Sequence, residues 1–415
     1  YGAYFRNFKV PLHVLRQLIT VAATLILLPW QAPACAAPAA GDEGARDAAR
    51  AFSALGVQYQ RLDAQLQQHR ALAEAGGWPG LPDGPTIRRD AEDPRLATLA
   101  RRLLVSGDIS AADMPVSTSK FNETLQNAVR RFQARHGLET DALVGRATLR
   151  ALNVTIQQRI DQIRVNLEHL RWQLDTESQE LILVNIPAFK AYVIRNGEIV
   201  WTTNVIVGDP ENETPVFHSM LKSVVFNPTW TVPHSIASKE LLPKIKQDPS
   251  FFRRGNYDLF DRSGDPVDPS SVDWSAVEKR TFPFTLVQQP GPANELGQVK
   301  FIIPNDYSIC MHDTPAKSLF ASAARAFSHG CIRIEEPLGL AEVLLDSEGW
   351  TRQEVDSQVE SRETRSIVLA APLPVHVVYW TAEVDDLGVI HFYNDIYERD
   401  AEALNGLHEI TNVDP

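Results

Sequence analysis

Near residue 180 the apolar pattern of this chain changes period. Upstream, apolar side chains recur every three or four residues, as in Phe121, Leu125, Val129 and Phe132, and in Ile156, Ile160, Ile163, Leu167 and Leu170. From Leu181 onward the apolar runs are short and β-rich: Leu181–Ile186, Ala191–Ile194, Val200–Val207, Leu221–Phe226, Lys300–Ile303 and Ser308–His312. A helix-period pattern does not settle as a strand, so the chain must place helices first and a sheet after them. The fold class this implies is α+β. Its 415 residues suffice for two or three domains, and 44% apolar with 22% charged residues excludes a mainly disordered chain. A formal net charge of -12 argues against a nucleic-acid partner.

Punctuation sets the boundaries. Residues 37–89 read as an Ala-rich linker followed by a helical scaffold segment, whose stripe is Phe52, Leu55, Tyr59, Leu62 and Leu66. Gly76, Gly77, Pro79, Gly80, Pro82, Gly84 and Pro85 then break the chain. A helical module fills 90–153. In it Asn122 is placed to cap one helix, Gly137 to end it, and Arg146–Leu152 to form another. Residues 154–179 form a connector helix capped by Thr155, and the sheet domain spans 180–400. Within it Asn196-Gly197 marks a tight hairpin, and 234–299 is an insertion over one end of the sheet, with a helix at Ile236–Ile245. Pro337–Leu345 reads as a helix. Val375–Val384 and Val389–Tyr393 read as a closing hairpin, with 401–415 as a tail.

The first 36 residues read as an address. Arg6, Lys9 and Arg16 precede an apolar run from Leu18 to Leu28, and Ala34-Cys35-Ala36 offers a small-residue cleavage site. This predicts a secretory signal peptide and a periplasmic protein. An uncleaved N-terminal anchor in the inner membrane is the alternative, although the run is short for a spanning helix and Pro29 and Pro33 interrupt it.

Chemistry concentrates in "YSICMHDTPAKSLFASAARAFSHGCIRI", residues 307–334. The chain has only three cysteines, and Cys331 stands in Ser328-His329-Gly330-Cys331-Ile332-Arg333, nineteen residues after His312. A nucleophilic thiol needs a base to take its proton, something to orient that base, and amide donors for an oxyanion. His312 suits the first role, and the N–H groups near Gly330 and Cys331 suit the last. A structural zinc site is the competing reading of the same residues. Cys310, His312, His329 and Cys331 supply four ligands of the right type, at a spacing unusual for zinc.

Two resemblances sharpen this. "AVRRFQARHGLETDALVGRATLRALN" resembles the peptidoglycan-binding helical module of cell-wall enzymes. The phrase around Cys331 resembles the catalytic domain of the L,D-transpeptidases (YkuD type), whose signature is a His followed by Ser/Thr-His-Gly-Cys-x-Arg/Asn. "FNPTWTVPHSIASKELLPKIKQDPSFF", "PGPANELGQVKFIIPN", "MHDTP" and "PVHVVYWTAEVDDLGVIHFYNDIY" extend the likeness to the large periplasmic members with a capping insertion.

The resemblance implies a β-rich catalytic domain with a helical cap, preceded by a helical peptidoglycan-binding domain. It implies Cys331 as nucleophile and His312 as general base. Ser328, His329, Gly330 and Arg333 would line the pocket, and Asn227 and Trp230 would form a substrate wall. The implied reaction is 3→3 cross-linking of peptidoglycan stem peptides through a cysteinyl thioester, with no metal or organic cofactor. A cysteine hydrolase that trims stems and a non-catalytic wall-binding scaffold are the alternatives. One departure stands out: the large members usually carry Tyr two residues before the catalytic His, where this chain has Cys310. If His312 faces Cys331 directly across neighbouring strands, Cys310 should lie diagonally, ~7–8 Å from Cys331, as a small apolar filler or as a resolving thiol.

Overall fold

The computed structural model describes residues 43–115, 117–171, 180–248 and 250–411. The address segment of residues 1–36 lies outside them, and among the described residues no helix is long and apolar enough to cross a membrane.

Five helices come first: α1 (Glu43–Glu74), α2 (Leu96–Val105), α3 (Glu123–Arg135), α4 (Arg146–Asn153) and α5 (Ile156–Arg171). α1 begins inside the stretch expected to be a linker. α2, α3 and α4 enclose one core of Leu96, Leu99, Leu103, Phe121, Leu125, Val129, Phe132 and Leu152. Asn122 caps α3 as expected, accepting from the Leu125 N–H at 3.0 Å. Leu81 and Ile87 of the segment before residue 90 belong to the same core. Asn153 holds that segment by donating to the Leu81 carbonyl at 2.8 Å and accepting from the Leu81 N–H at 2.7 Å. Gln133 fastens the turn before α4, donating to Asp141, to the Leu143 carbonyl and to Thr148.

α5 is more than a connector. Its Ile160, Ile163, Leu167 and Leu170 pack with Leu55, Leu62 and Leu66 of α1 onto one face of the sheet. Thr155 and Gln158 cap it reciprocally, Gln158 N–H donating to Thr155 Oγ1 and Thr155 N–H to Gln158 Oε1. The scaffold segment and the connector are therefore the outer layer of the sheet domain.

The main sheet contains β1 (Glu180–Asn185), β2 (Lys190–Arg195), β3 (Glu198–Gly208), β4 (Phe217–Phe226), β8 (Val299–Ile302), β9 (Met311–His312), β10 (Ala326–Ser328), β11 (Ile332–Ile334) and β12 (Arg365–Val378). Its pairings run β1-β2-β3-β11-β9-β8-β4-β12 and return to β1, so the ladder closes on itself, with β10 added alongside β3. β1 shows why its sequence is apolar throughout instead of alternating. Ile182 and Val184 face the inner core with Val224, Phe301, Met311 and Ile332, while Leu181 and Leu183 face α1 and α5. The helix α6 (Pro337–Leu345) adds Leu340, Ala341, Leu344 and Leu345 to the inner core, and α7 (Arg352–Glu360) follows it behind a capping box at Thr351.

Three expectations are corrected here. The cap is not purely helical. Besides helical turns over 234–247, it holds a three-stranded sheet of β5 (Trp230–Thr231), β7 (Thr285–Gln288) and β6 (Tyr257–Phe260), around its own core of Leu241, Leu242, Ile245, Phe251, Phe252, Leu259 and Leu286. The run from Val375 is not a hairpin arm: β12 ends at Val378, and the hairpin is only β13 (Ala382–Val384) with β14 (Ile390–Phe392). Asn185 and Asn166 accept from the Trp380 and Thr381 N–H groups at 3.0 and 2.9 Å, which diverts the backbone from the ladder. The expected tail contains α8 (Asp400–Thr411), anchored where Asp400 accepts from the Thr381 hydroxyl at 2.6 Å.

Candidate active site

β9 and β11 run parallel, with Met311 beside Ile332 and His312 beside Arg333. One step back along that ladder, the Ile332 N–H donates to the Cys310 carbonyl at 2.8 Å, which sets Cys331 beside Cys310. Met311, Ile332 and Ile334 point into the inner core. By the alternation of a strand, Cys310, His312, Cys331 and Arg333 then share the opposite face. The sulfurs of Cys310 and Cys331 and the near ring nitrogen of His312 all lie within 4.8 Å of one another.

This corrects the expected position of Cys310. It is directly opposite Cys331, with the two Sγ atoms 3.0 Å apart, and His312 takes the diagonal place instead. Register is a property of the pairing between strands, and spacing along one strand does not carry it. Both cysteines are free and half-buried.

The histidine is oriented without a carboxylate. Its Nδ1–H donates to the backbone carbonyl of Asp313, which leaves Nε2 for the thiol. The Asp313 carboxylate holds that turn, accepting from the Gln298 N–H at 2.8 Å and pairing with Lys317 at 2.7 Å. Gly297 makes the approach feasible: at φ +61° it lies so close that an added Cβ would stand 2.3 Å from the Asp313 carboxylate.

The turn bearing Cys331 is equally constrained. Gly330 sits at φ +105°, and Thr214 donates to its carbonyl at 2.7 Å. Ser328, which is buried, donates to the Cys331 carbonyl at 2.6 Å and accepts from the Gly330 N–H at 3.1 Å. Tyr397 supports the layer beneath, donating to the Gly208 carbonyl at 2.6 Å and accepting from the Thr214 N–H. A hydrogen bond from Cys310 holds the Cys331 thiol well below its usual range, with His312 acting in the same direction and burial opposing both. The same bond, with burial, pushes Cys310 well above it.

Residues 179–359 match the family model of the L,D-transpeptidase catalytic domain (YkuD). The chain carries an L,D-transpeptidase domain. Residues 94–152 match the family model of a peptidoglycan binding domain. A Haemophilus influenzae protein grouped with the L,D-transpeptidases is 37% identical over 221 residues, 53% of this chain and 45% of that protein. The chain thus spans less than half the length of that relative. Among solved structures, the L,D-transpeptidase of Mycobacterium smegmatis is 14% identical, covering 48% of this chain and 58% of its own, with a TM-score of 0.22. The Xylanimonas cellulosilytica L,D-transpeptidase is 12% identical, covering 72% and 99%, with a TM-score of 0.21.

Within the L,D-transpeptidase domain the other expected residues divide. Arg333 lies beside His312 with its Nε buried and unpartnered among the described residues. His329 leaves the thiol cluster: its ring meets Glu240 of the cap at 3.0 Å, so the four-ligand zinc set is not assembled. Asn227 is engaged by the backbone around it. It is buried at φ +45°, and its amide donates to the carbonyls of Gln358, Val359 and Glu363, fastening the end of β4 to the last turn of α7 and the loop after it. Trp230 is half-buried and packs against the cap core.

Sequence reasoning passed over Asp313, Thr214, Glu240 and Asn305. Asn305 shapes the approach to Cys310, donating to the Ile303 and Ile309 carbonyls and accepting from the Tyr307 and Ile309 N–H groups. Asp313 sits inside the quoted phrase "MHDTP", a usable signal. Thr214 and Glu240 lie far from the motif in sequence, and only folding brings them to it.

Proposed function

We propose that the L,D-transpeptidase domain performs acyl transfer on peptidoglycan stem peptides through Cys331. The observation that carries this reading is the thiol of Cys331 just after the left-handed Gly330, with His312 diagonal to it and tethered through Nδ1. The Cys331 thiolate attacks the carbonyl of the third stem residue. The carbonyl π electrons move to oxygen, where the Cys331 N–H donates, since the Gly330 N–H is engaged by Ser328. Collapse expels the terminal D-alanine, whose amine takes a proton from the His312 imidazolium. The side-chain amine of a second stem then attacks the thioester, His312 accepting its proton, and a 3→3 cross-link results.

The module of α2–α4 supports a wall substrate, and the apolar run Leu18–Leu28 supports export to the periplasm. The test is incubation of the purified protein with disaccharide-tetrapeptides, followed by mass spectrometry. Cross-linked dimers lacking one D-alanine are expected, with none from Cys331→Ala. Tripeptide monomers alone would make the enzyme a stem-trimming hydrolase. Wild-type turnover by Cys331→Ala would refute the nucleophile.

A further inference from the structure

The transfer steps leave one side chain of the cluster unused. Cys310 stands opposite the nucleophile, with its Sγ 3.0 Å from Cys331 Sγ and its backbone N–H 3.3 Å from the same sulfur. We propose that Cys310 is a positioning residue that holds Cys331 as a thiolate, its S–H and its N–H both donating to that sulfur. This rests on Cys331 being the nucleophile, and it deepens that assignment.

The arrangement is built. The Ile332 N–H to Cys310 carbonyl bond fixes the register, and the amide of Asn305 fixes the turn that delivers Cys310. Two thiols in contact act as one acid. Losing the first proton leaves an anion that the remaining S–H solvates, while losing the second would place two charges about 3 Å apart. The anion belongs on Cys331, because that sulfur receives the backbone N–H and has His312 beside it. The opposite displacements of the two thiols agree with this sharing. A thiolate stabilised by two donors from one residue also has its position fixed, so the lone pair for attack points away from Cys310.

The experiment compares full-length, fully reduced wild type, Cys310→Ala and Cys310→Ser. The rate of iodoacetamide alkylation at Cys331, mapped by mass spectrometry, is followed from pH 4 to 10, and kcat and KM are followed over the same range. Alkylation reads the thiolate whatever the natural substrate is, so it separates this proposal from the function proposed above. In Cys310→Ala the midpoint should rise by about one unit or more, a roughly tenfold slower alkylation at a pH below both midpoints. Its kcat should fall at pH values between the two midpoints with KM little changed, and recover above both. Cys310→Ser retains a hydroxyl donor, and its midpoint should lie between the other two. Equal midpoints in all three proteins would overturn the proposal and leave Cys310 as filler. If the alanine variant fails to fold, the serine variant decides against wild type.

Discussion

At the residue scale, two thiols within hydrogen-bonding distance make oxidation the first chemical hazard of this site. A hydroperoxide transfers an oxygen to the Cys331 thiolate, giving a sulfenic acid, and the peroxide's other oxygen leaves as water or alcohol after taking a proton. The Cys310 thiol then condenses with that sulfenic acid, releasing water and forming a disulfide. At the diagonal ~7–8 Å expected from the sequence the two sulfurs would lie out of reach, and the direct opposition of the two residues brings them together. Peroxide should therefore inactivate the wild type in a way that dithiothreitol reverses. Cys310→Ser should instead proceed to the sulfinic acid and recover little. Equal recovery of both proteins after one peroxide dose would exclude Cys310 as a resolving thiol.

Among the elements, the β4–β12 ladder carries a titratable pair outside the thiol cluster. His218 and His376 are direct cross-strand partners with rings 4.2 Å apart. Burial pushes His376 down to about 4, with the His218 charge acting in the same direction, and burial lowers His218 as well. The sign follows from linkage. The folded state disfavours the protonated imidazole, whereas the unfolded chain binds that proton near pH 6.5. Stability is therefore fully present above about 6.5 and is lost as pH falls toward 4. From pH 7 to 5, His376 alone should cost on the order of 2 kcal/mol. Thermal melts should show that loss in the wild type and a flatter profile in His376→Leu. An unchanged profile would mean that the pair is solvated in the folded state.

For the whole molecule, the helical module is docked onto the catalytic body. The His136 ring stacks on Phe132 at 3.8 Å and also meets Phe392, and Glu139 accepts from the Ala323 N–H at 2.8 Å, near the strand that leads to Cys331. The Arg159 guanidinium lies 4.4 Å from the centre of the Phe392 ring, tying α5 into the same junction. The module is closed at its base by Trp78, which donates to the Val154 carbonyl at 3.0 Å, and by the Leu81–Asn153 pair. A fragment of residues 78–155 should accordingly fold and co-sediment with isolated sacculi. A fragment of 90–153 lacks Leu81 and Ile87 of the core and should melt lower or fail to fold. If the longer fragment folds and stays in the supernatant, the module serves docking alone.

Much of this was legible because it is local. The 3.6-residue stripes of α3 and α5, the Asn122 cap, the Pro337–Leu345 helix and the Ser328–Arg333 phrase each depend on neighbours a few positions away, and a linear pattern records them. The thiol and the imidazole were legible for the same reason, as rare side chains in one tight phrase. Side-chain partnerships between distant segments were not. That Cys310 touches Cys331, that Asn227 clamps a loop, that Glu240 holds His329 and that α1 and α5 cover the sheet each depend on which segments pair and in what register. A one-residue slip of a strand reverses every side chain on it, and only packing on the faces of the sheet, the inner core on one and α1 with α5 on the other, selects among the registers.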